Sequence, residues 1–241
     1  MTEQSVFELL SLGDRGWGDE LLAGAWLTLQ LALCALAVGL VGGLLLAGAK
    51  LSHIRALRWF ADTYNVIIRG TPEFLILLMV YFGLEQAVRS TIAVFGYDAA
   101  GFEVPKFLAA VLGLSVIFIS YASEVFRGAY LAVPPGQMEA ARACGMSTTQ
   151  AFLRIRLPQM WRFAIPGLGN LWMVLLKDTS LAAVIALDDL LRQAKVASET
   201  TREPLVFYCA AGLIYLVMTG LSDVMRHRLE RSAQRGMGRQ S

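Results

Sequence analysis

Five ionisable residues lie within stretches of the sequence that are otherwise apolar: Arg69, Glu73, Glu124, Lys177 and Asp178. A charge inside a membrane-spanning segment is costly, so such residues by default suggest a functional role, for example in the path of a substrate. Arg69 and Glu73 carry the two signs that suit an amino acid, which offers one carboxylate and one ammonium. A purely structural interpretation is also open, because Arg69 with Glu73 and Glu124 with Arg127 have the spacing of pairs along one helix.

No motif for catalysis or nucleotide binding occurs in the sequence. The nearest approach to a phosphate-binding G-x-x-x-x-G-K-[ST] loop ends at Lys50 and is interrupted by Ala49, and neither G-x-S-x-G nor H-E-x-x-H is present. The three cysteines are far apart, and the two histidines have no second ligand nearby. We therefore expect no enzyme activity, no cofactor and no metal, and a net charge of +2 gives no reason to expect nucleic acid.

The composition indicates an integral membrane protein. Of 241 residues, 56% are hydrophobic and only 17% are charged, whereas a soluble domain is about one quarter charged. A helix needs roughly 20 apolar residues to cross a bilayer, and an open sheet cannot span one. We predict an all-α integral membrane fold with about five transmembrane helices, near residues 21–49, 60–87, 107–131, 163–187 and 205–225.

The second predicted span is interrupted by the segment RGTPEF, which includes Gly70 and Pro72. Backbone groups freed by such a break are tolerated only against protein or a wet cavity. Broken helices near the middle of the membrane often form substrate sites in transporters. The segment therefore favours Arg69 and Glu73 as substrate contacts.

Basic residues predict the orientation of the chain. With the N-terminus outside, 13 of the 21 Lys and Arg residues fall in cytoplasmic segments and six fall outside. The positive-inside rule therefore predicts an N-out/C-in topology. It divides the chain into a periplasmic segment (1–20), a transmembrane domain (21–225) and a basic cytoplasmic tail (226–241).

A loop of unusual composition, PPGQMEAARACGMSTTQAFLRIRLP (residues 134–158), separates the third and fourth predicted spans. Its two prolines and first glycine end the third span. A short helix is predicted from about Gln137 to Cys144, and its alanines leave a narrow surface. Gly145 can take the left-handed conformation that ends this helix.

A second short helix is predicted to follow at once, because Ser147 and Gln150 form a capping-box pattern. We expect Pro158 to close this helix. It carries three apolar residues on roughly one side, Phe152, Ile155 and Leu157. Two short helices at an angle could push into a groove on a partner, although an ordinary amphipathic surface loop is the alternative.

The loop resembles the EAA signature of ABC importer permeases through Glu139, Ala140, Ala141, Gly145, Ile155, Leu157 and Pro158. We call residues 134–158 the EAA loop. In that family it holds the coupling helix, which docks in a cleft of the ATPase subunit. The resemblance implies that Glu139 and Gly145 are docking residues, and that Ala140 and Ala141 allow close approach.

Other segments are similar to the polar amino acid permeases of this family. They include KLSHIRALRWFADTYNVIIRGTPEFLILLMVYFGL, YASEVFRGAYLAVPPGQMEAA, RFAIPGLGNLW and LKDTSLAAVIAL. The start GDRGWGDELL resembles the opine group in particular. The resemblance implies a type I ABC importer permease fold in the bacterial inner membrane. It also implies transport of polar, in particular cationic, amino acids or opines such as arginine, histidine, octopine and nopaline.

The resemblance implies several partners besides membrane lipid. They are a dimer of ABC ATPase subunits, a second permease subunit that is a paralogue or another copy, and a periplasmic solute-binding protein. A stand-alone secondary carrier would also explain the buried charges, although five spans without an internal repeat fit it poorly. The sequence leaves open which substrate is carried and which charges line the path.

Overall fold

A computed structural model describes residues 6–13, 16–95, 98 and 101–234, apart from the side chains of 233 and 234. The expectations for residues 1–5, 14–15 and 235–241 lie outside the described residues. Within them the chain is helical and contains no strand. This agrees with the predicted all-α class.

Ten α-helices follow one another along the described chain, with one π-helical and one 3₁₀ segment between them. They are α1 (Val6–Leu9), α2 (Gly18–Leu51), α3 (Arg55–Gly70), α4 (Glu73–Val94), α5 (Lys106–Leu131), α6 (Pro135–Ala143), α7 (Thr148–Ala151), the π-helix (Phe152–Arg156), α8 (Leu157–Asp178), the 3₁₀ segment (Thr179–Ile185), α9 (Leu190–Thr201) and α10 (Pro204–Gln234).

Five of these helical stretches are long and apolar enough to span a membrane, as predicted: α2, α4, α5, the stretch from α7 to the 3₁₀ segment, and α10. The predicted bounds of the second span are wrong. Thr71 is extended and Pro72 precedes the first residue of α4, because a proline disfavours helical geometry in the residue before it. Residues 60–70 therefore belong to α3, and the spanning helix extends further, to Val94.

Helix α5 lies at the centre of the fold. In its most apolar stretch 61% of the residues are buried, against 11% in α4 and in α10. Leu114, Phe118 and Phe126 of α5 belong to the main hydrophobic core. A Cβ on Gly43 of α2 would lie 2.7 Å from the Cβ of Ala122, so small residues let these two helices approach closely.

Helix α3 turns a polar residue towards the protein. The buried Asn65 amide donates hydrogen bonds to Ser123 Oγ (3.1 Å) and Glu124 Oε1 (3.0 Å) of α5, and it accepts one from Ser120 Oγ (3.0 Å). Large apolar side chains of α3 are exposed instead, namely Trp59, Phe60, Val66 and Ile67. This arrangement suits a helix that is bordered by lipid or by another chain.

A smaller second core joins α9 and α10 to the start of α2. Leu21, Leu190 and Phe207 are buried in it. Helix α10 continues to Gln234, so residues 226–234 of the predicted tail are helical. At the other end α2 already begins at Gly18, inside the predicted segment 1–20.

Candidate functional site

The EAA loop places an exposed short helix beside the spanning helices. Helix α6 starts at Pro135, whose missing N–H costs nothing in the first turn of a helix. Gly145 follows its C-terminal end with φ +81°, the left-handed conformation expected for such a glycine. Glu139 and Ala140 are exposed on α6, so both are accessible to a partner.

The predicted capping box at the start of α7 is present. Ser147 Oγ accepts a hydrogen bond from the Gln150 backbone (3.3 Å), and Gln150 Oε1 accepts one from the Ser147 backbone (3.0 Å). The pairing satisfies two N–H groups that the first turn would leave open. It fixes where the chain turns from α6 into α7.

A small hydrophobic core of its own holds the EAA loop together. Met138, Ala141 and Ala151 are buried in it, and Ile155 packs against them. Ala141 is only 6% exposed, so it contributes to the packing between α6 and α7. Of the two alanines, only Ala140 is on the surface.

Pro158 does not close a helix, contrary to the prediction. Helix α7 continues through the π-helix into α8, so Pro158 lies in the first turn of α8. In the wider π-helical turn, the Leu157 N–H donates a hydrogen bond to the Phe152 carbonyl. Pro158 follows in the first turn of α8, where the N–H that proline lacks would have no partner within the helix. The EAA loop is therefore continuous with a spanning helix, and π-helical turns are frequent at functional sites.

Arg156, in the last turn of the π-helix, connects the EAA loop to α5. Its guanidinium carbon lies 4.4 Å from the centroid of the Tyr130 ring, and its Nη1 donates a hydrogen bond to the Tyr130 hydroxyl. Tyr130 is one residue from the end of α5. This contact joins the EAA loop to α5, the central helix of the fold. The loop is thus connected to α5 through side chains and to α8 through the backbone.

Glu124 lies in a network of charges between α2, α3 and α5. It accepts hydrogen bonds from Lys50 of α2, Asn65 of α3 and, at 3.0 Å, the Nε of Arg127. The Lys50 side chain is only 8% exposed and also pairs with Asp62 (3.2 Å). The pairing of Glu124 with Arg127, which the sequence left as an open alternative, is present as part of a larger network.

Arg69 and Glu73 are not paired with each other. Pro72 separates α3 from α4, so the i, i+4 spacing of one helix does not apply. Tyr121 of α5 lies between them instead. Its hydroxyl donates a hydrogen bond to Glu73 Oε1 (3.2 Å), and the Arg69 guanidinium carbon lies 5.2 Å from the centroid of its ring.

Lys177 and Asp178 lie in the last turn of α8. Lys177 is exposed and Asp178 is half-buried. Within the described part of the chain, neither side chain makes a hydrogen bond or an ion pair. Asp178 and Tyr121 line one small cavity between α5 and α8. Arg69, Glu73, Tyr121 and Asp178 thus form one polar group at the break between α3 and α4.

A wider cavity of about 530 Å³ borders this group. Arg69, Asn65 and Glu124 line it, together with Lys50 and Asp62. It is open to the surroundings and contains charges of both signs, so it could admit water and a polar solute. Among the described residues, no group of three His, Cys, Asp or Glu residues could hold a metal ion.

Sequence reasoning missed Tyr121 and Asn65. Both are neutral, so a search for charges inside apolar stretches passes over them. Asn65 could have been suspected from its position in α3, whose polar and apolar residues alternate with a helical period. Tyr121 has no comparable signal, because its role depends on helices that are distant in sequence.

The comparison with known families decides the identity of the fold and its class of function. Residues 39–235 match the family described as binding-protein-dependent transport system inner membrane component. The chain belongs to this family. It is therefore an inner-membrane permease subunit of an ABC importer, and in this family ATP is hydrolysed by a separate subunit.

Relatives of the permease align over almost its whole length. It is 44% identical to the nopaline transport system permease protein NocQ of Agrobacterium fabrum, over 95% of this chain and 97% of that one. It is 40% identical to the arginine ABC transporter permease protein ArtQ of Escherichia coli, over 89% and 95%. It is 39% identical to the octopine transport system permease protein OccQ of Rhizobium meliloti, over 96% and 98%.

Solved structures confirm the fold of the permease. A chain of an amino acid ABC transporter crystallised with histidines superposes with a TM-score of 0.76 at 32% identity, covering 90% of this chain and 95% of that one. A chain of the MetNI methionine ABC transporter superposes with a TM-score of 0.62 at 19% identity, covering 98% and 100%. The second match bears on the fold alone.

Proposed function

We propose that this permease carries polar, in particular cationic, amino acids or opines across the inner membrane. The named substrates of its relatives support this, because nopaline, arginine and octopine all carry a guanidinium group as well as carboxylate. The orientation is N-out/C-in, which the distribution of basic residues supports. The EAA loop then faces the cytoplasm.

The EAA loop docks on an ATPase subunit of the importer. The observation that carries this proposal is the exposed helix α6, which is braced by its own core of Met138, Ala141 and Ala151. Glu139 and Ala140 form the docking surface, and Gly145 sets the bend behind it. Because the loop continues into α8 without a break, a movement at α6 reaches a spanning helix directly.

The substrate passes the polar group formed by Arg69, Glu73, Tyr121 and Asp178. Arg69 suits a substrate carboxylate, and Glu73 suits an ammonium. Asp178 adds a second carboxylate, so the group has a net charge of −1 that complements a cationic amino acid. Tyr121 orients Glu73 through its hydroxyl and Arg69 through its ring.

Glu124 and Lys177 have different parts in this path. Glu124 lines the open cavity next to Arg69, but its hydrogen bonds to Lys50 and Arg127 leave it fixed. It therefore shapes the path and does not bind the substrate. Lys177 is exposed at the end of α8, and its positive charge disfavours binding of a cationic substrate at that position relative to Asp178.

A second permease subunit completes the pore, and a periplasmic binding protein delivers the substrate. The sparsely buried helices α4 and α10 support this, because one chain does not enclose the polar group. The second subunit is either a related chain or a second copy of this one. ATP binding to two ATPase subunits moves both EAA loops and opens the path to the other side of the membrane.

Copurification tests the docking proposal. The permease is co-expressed with the ATPase of its transport system and isolated through a tag on the permease. The native chain and Glu199→Arg, a control at another exposed glutamate, should retain the ATPase. Glu139→Arg should lose most of it. Equal retention by Glu139→Arg would contradict docking at α6.

A further inference from the structure

A groove on the side of the molecule lies between the spanning helices α2, α8 and α10. Its walls are apolar side chains, which include Leu33, Leu36 and Leu40 of α2 and Trp172 of α8. Only Ser222 and Arg226 of α10 contribute polar groups to the lining. We call this the lateral groove. Neither the polar group of the substrate path nor the EAA loop contributes to it.

The lateral groove spans about 10 Å along the helices that line it. Its lining runs from Leu33 to Leu40, from Ile165 to Trp172 and from Ser222 to Leu229, and each residue of a helix adds about 1.5 Å. Arg226 lies roughly 33 Å along α10 from Pro204, which is about the thickness of a hydrocarbon core. We therefore place Arg226 at a membrane boundary and the groove within one lipid leaflet, which is about 15 Å deep.

Arg226 places charges of both signs at the boundary end of the groove. Its Nη2 donates to Asp223 Oδ1 (2.6 Å) and its Nη1 donates to Glu230 Oε1 (2.8 Å). Gly169 of α8 makes room for its side chain, because a Cβ there would lie 2.6 Å from Arg226 Cδ. A guanidinium flanked by two carboxylates complements a headgroup that contains both a phosphate and an ammonium.

The width of the groove favours a hydrocarbon chain over a protein helix. The groove has a volume of about 230 Å³. Over a length of about 10 Å this is a cross-section on the order of 20 Å², whereas a helix about 10 Å across needs roughly 80 Å². Leu33, Met225 and Leu229 are exposed along its edge, so lipid can enter from the bilayer.

We propose that the lateral groove binds one phospholipid, with an acyl chain between α2, α8 and α10. Its headgroup is of the phosphoethanolamine type. The phosphate bonds to the one N–H of Arg226 Nη1 that Asp223, Glu230 and His227 leave free, and the ammonium bonds to Glu230. The lipid fills a gap that would otherwise separate α10 from α2, and it does so beside α8, the helix that continues from the EAA loop.

Native mass spectrometry of the purified permease, after extensive washing in detergent, tests the proposal. The native chain should retain one phosphatidylethanolamine. Ser222→Trp, which fills the groove, should retain at least fivefold less, whereas Leu221→Trp, on the neighbouring exposed surface, should match the native chain. Equal retention by the two tryptophan variants, or no retained lipid in the native chain, would overturn the proposal.

A second measurement does not depend on the folding of a groove variant. Phosphatidylethanolamine with brominated acyl chains is added to the native chain and to Trp172→Phe, and tryptophan fluorescence is measured in both. The difference between the two fluorescence signals is the contribution of Trp172. Bound lipid should quench this difference signal, and quenching should saturate at one lipid per chain. An unquenched signal in the assembled transporter would mean that another subunit covers the groove, and would overturn the proposal.

The headgroup part is tested with Glu230→Gln. Loss of the carboxylate should shift the retained lipid from phosphatidylethanolamine towards phosphatidylglycerol, which has no ammonium. An unchanged ratio of the two lipids would contradict the assigned headgroup contact.

Discussion

The guanidinium of Arg156 lies over the ring of Tyr130, with 4.4 Å between its central carbon and the ring centroid, and it also donates a hydrogen bond to the Tyr130 hydroxyl. Arg156 belongs to the π-helix that ends the EAA loop, and Tyr130 belongs to the last turn of α5. The pair therefore connects the proposed ATPase-docking segment to the most buried helix of the permease.

We expect substitutions of Tyr130 to uncouple ATP hydrolysis from transport in a graded way. Tyr130→Phe loses the hydrogen bond but keeps the cation–π contact, which is worth about 0.5–2 kcal/mol. Tyr130→Leu loses both. The ratio of substrate transported to ATP hydrolysed should fall slightly in the first variant and about tenfold in the second. Equal ratios in the native chain and Tyr130→Leu would show that the contact does not transmit movement.

Tyr121→Phe should weaken transport without affecting assembly. The change removes the hydrogen bond to Glu73 and keeps the aromatic ring beside Arg69. Uptake should show a KM raised about tenfold or more, since a lost hydrogen bond to a charged group costs about 1.5 kcal/mol or more. Glu73→Gln should have a larger effect in the same direction.

Tyr208→Phe is the matched control for Tyr121→Phe, because Tyr208 is exposed on α10. It should leave uptake unchanged. A loss of assembly in Tyr121→Phe or Glu73→Gln would assign the group a structural role instead of a role in the substrate path.

Glu124→Gln should destabilise the permease strongly. Lys50 is almost fully buried beside this carboxylate and would keep only Asp62 as an ionic partner, so the substitution should cost about 1–3 kcal/mol. Glu199→Gln is the control, because Glu199 and Lys195 form an exposed pair that contributes about 0.5 kcal/mol or less. Thermal unfolding in detergent should show a clear loss for the first variant only. Similar melting temperatures for both would contradict a structural role of the network.

The stability of the permease should depend on the charge of Asp189. Asp189 lies before α9, outside the membrane-spanning helices, and it is fully buried. Burial raises the pKa of its carboxyl to about 7. The folded chain thus favours the protonated form of Asp189. The stability that this side chain contributes is therefore complete below the ordinary pKa of about 4, and it is lost as the pH rises through 7.

Asp189→Asn removes this titration and keeps the cap of α9, because asparagine is an equally good capping residue. The melting temperature of the variant should exceed that of the native chain by an amount that grows between about pH 4 and 7 and is constant above it. Glu203→Gln, at an exposed position after α9, should behave like the native chain. A gap that is the same at every pH would contradict the raised pKa.

Patterns that are local in sequence predicted the fold well. Long apolar runs identify the spanning helices because lipid requires them, and the capping box at Ser147 and Gln150 depends on residues only three positions apart. The break at Pro72 was placed inside a span because apolar residues flank it on both sides. Hydropathy alone cannot tell that the residues before it form the separate helix α3.

The candidate site could be predicted only in part. Arg69 and Glu73 were found by their charge, but Tyr121 between them comes from α5, about fifty residues away in sequence. Ala141 belongs to the EAA signature, yet its burial follows from contacts with Met138 and Ala151. Such roles depend on tertiary packing, and packing between distant segments cannot be predicted from the spacing of residues along one segment.

Transport by a permease with an altered bend at Gly145 tests the central claim most directly. Gly145 has φ +81°, and its N–H donates to the Arg142 carbonyl (2.9 Å). Proline cannot adopt this φ and has no N–H, whereas asparagine tolerates it. The chain and its partner subunits are reconstituted in proteoliposomes, and ATP-dependent uptake of radiolabelled arginine or octopine is measured. We predict that Gly145→Pro folds and inserts but loses uptake, and that Gly145→Asn keeps most of it. Normal uptake by Gly145→Pro would show that the EAA loop does not couple ATP hydrolysis to import.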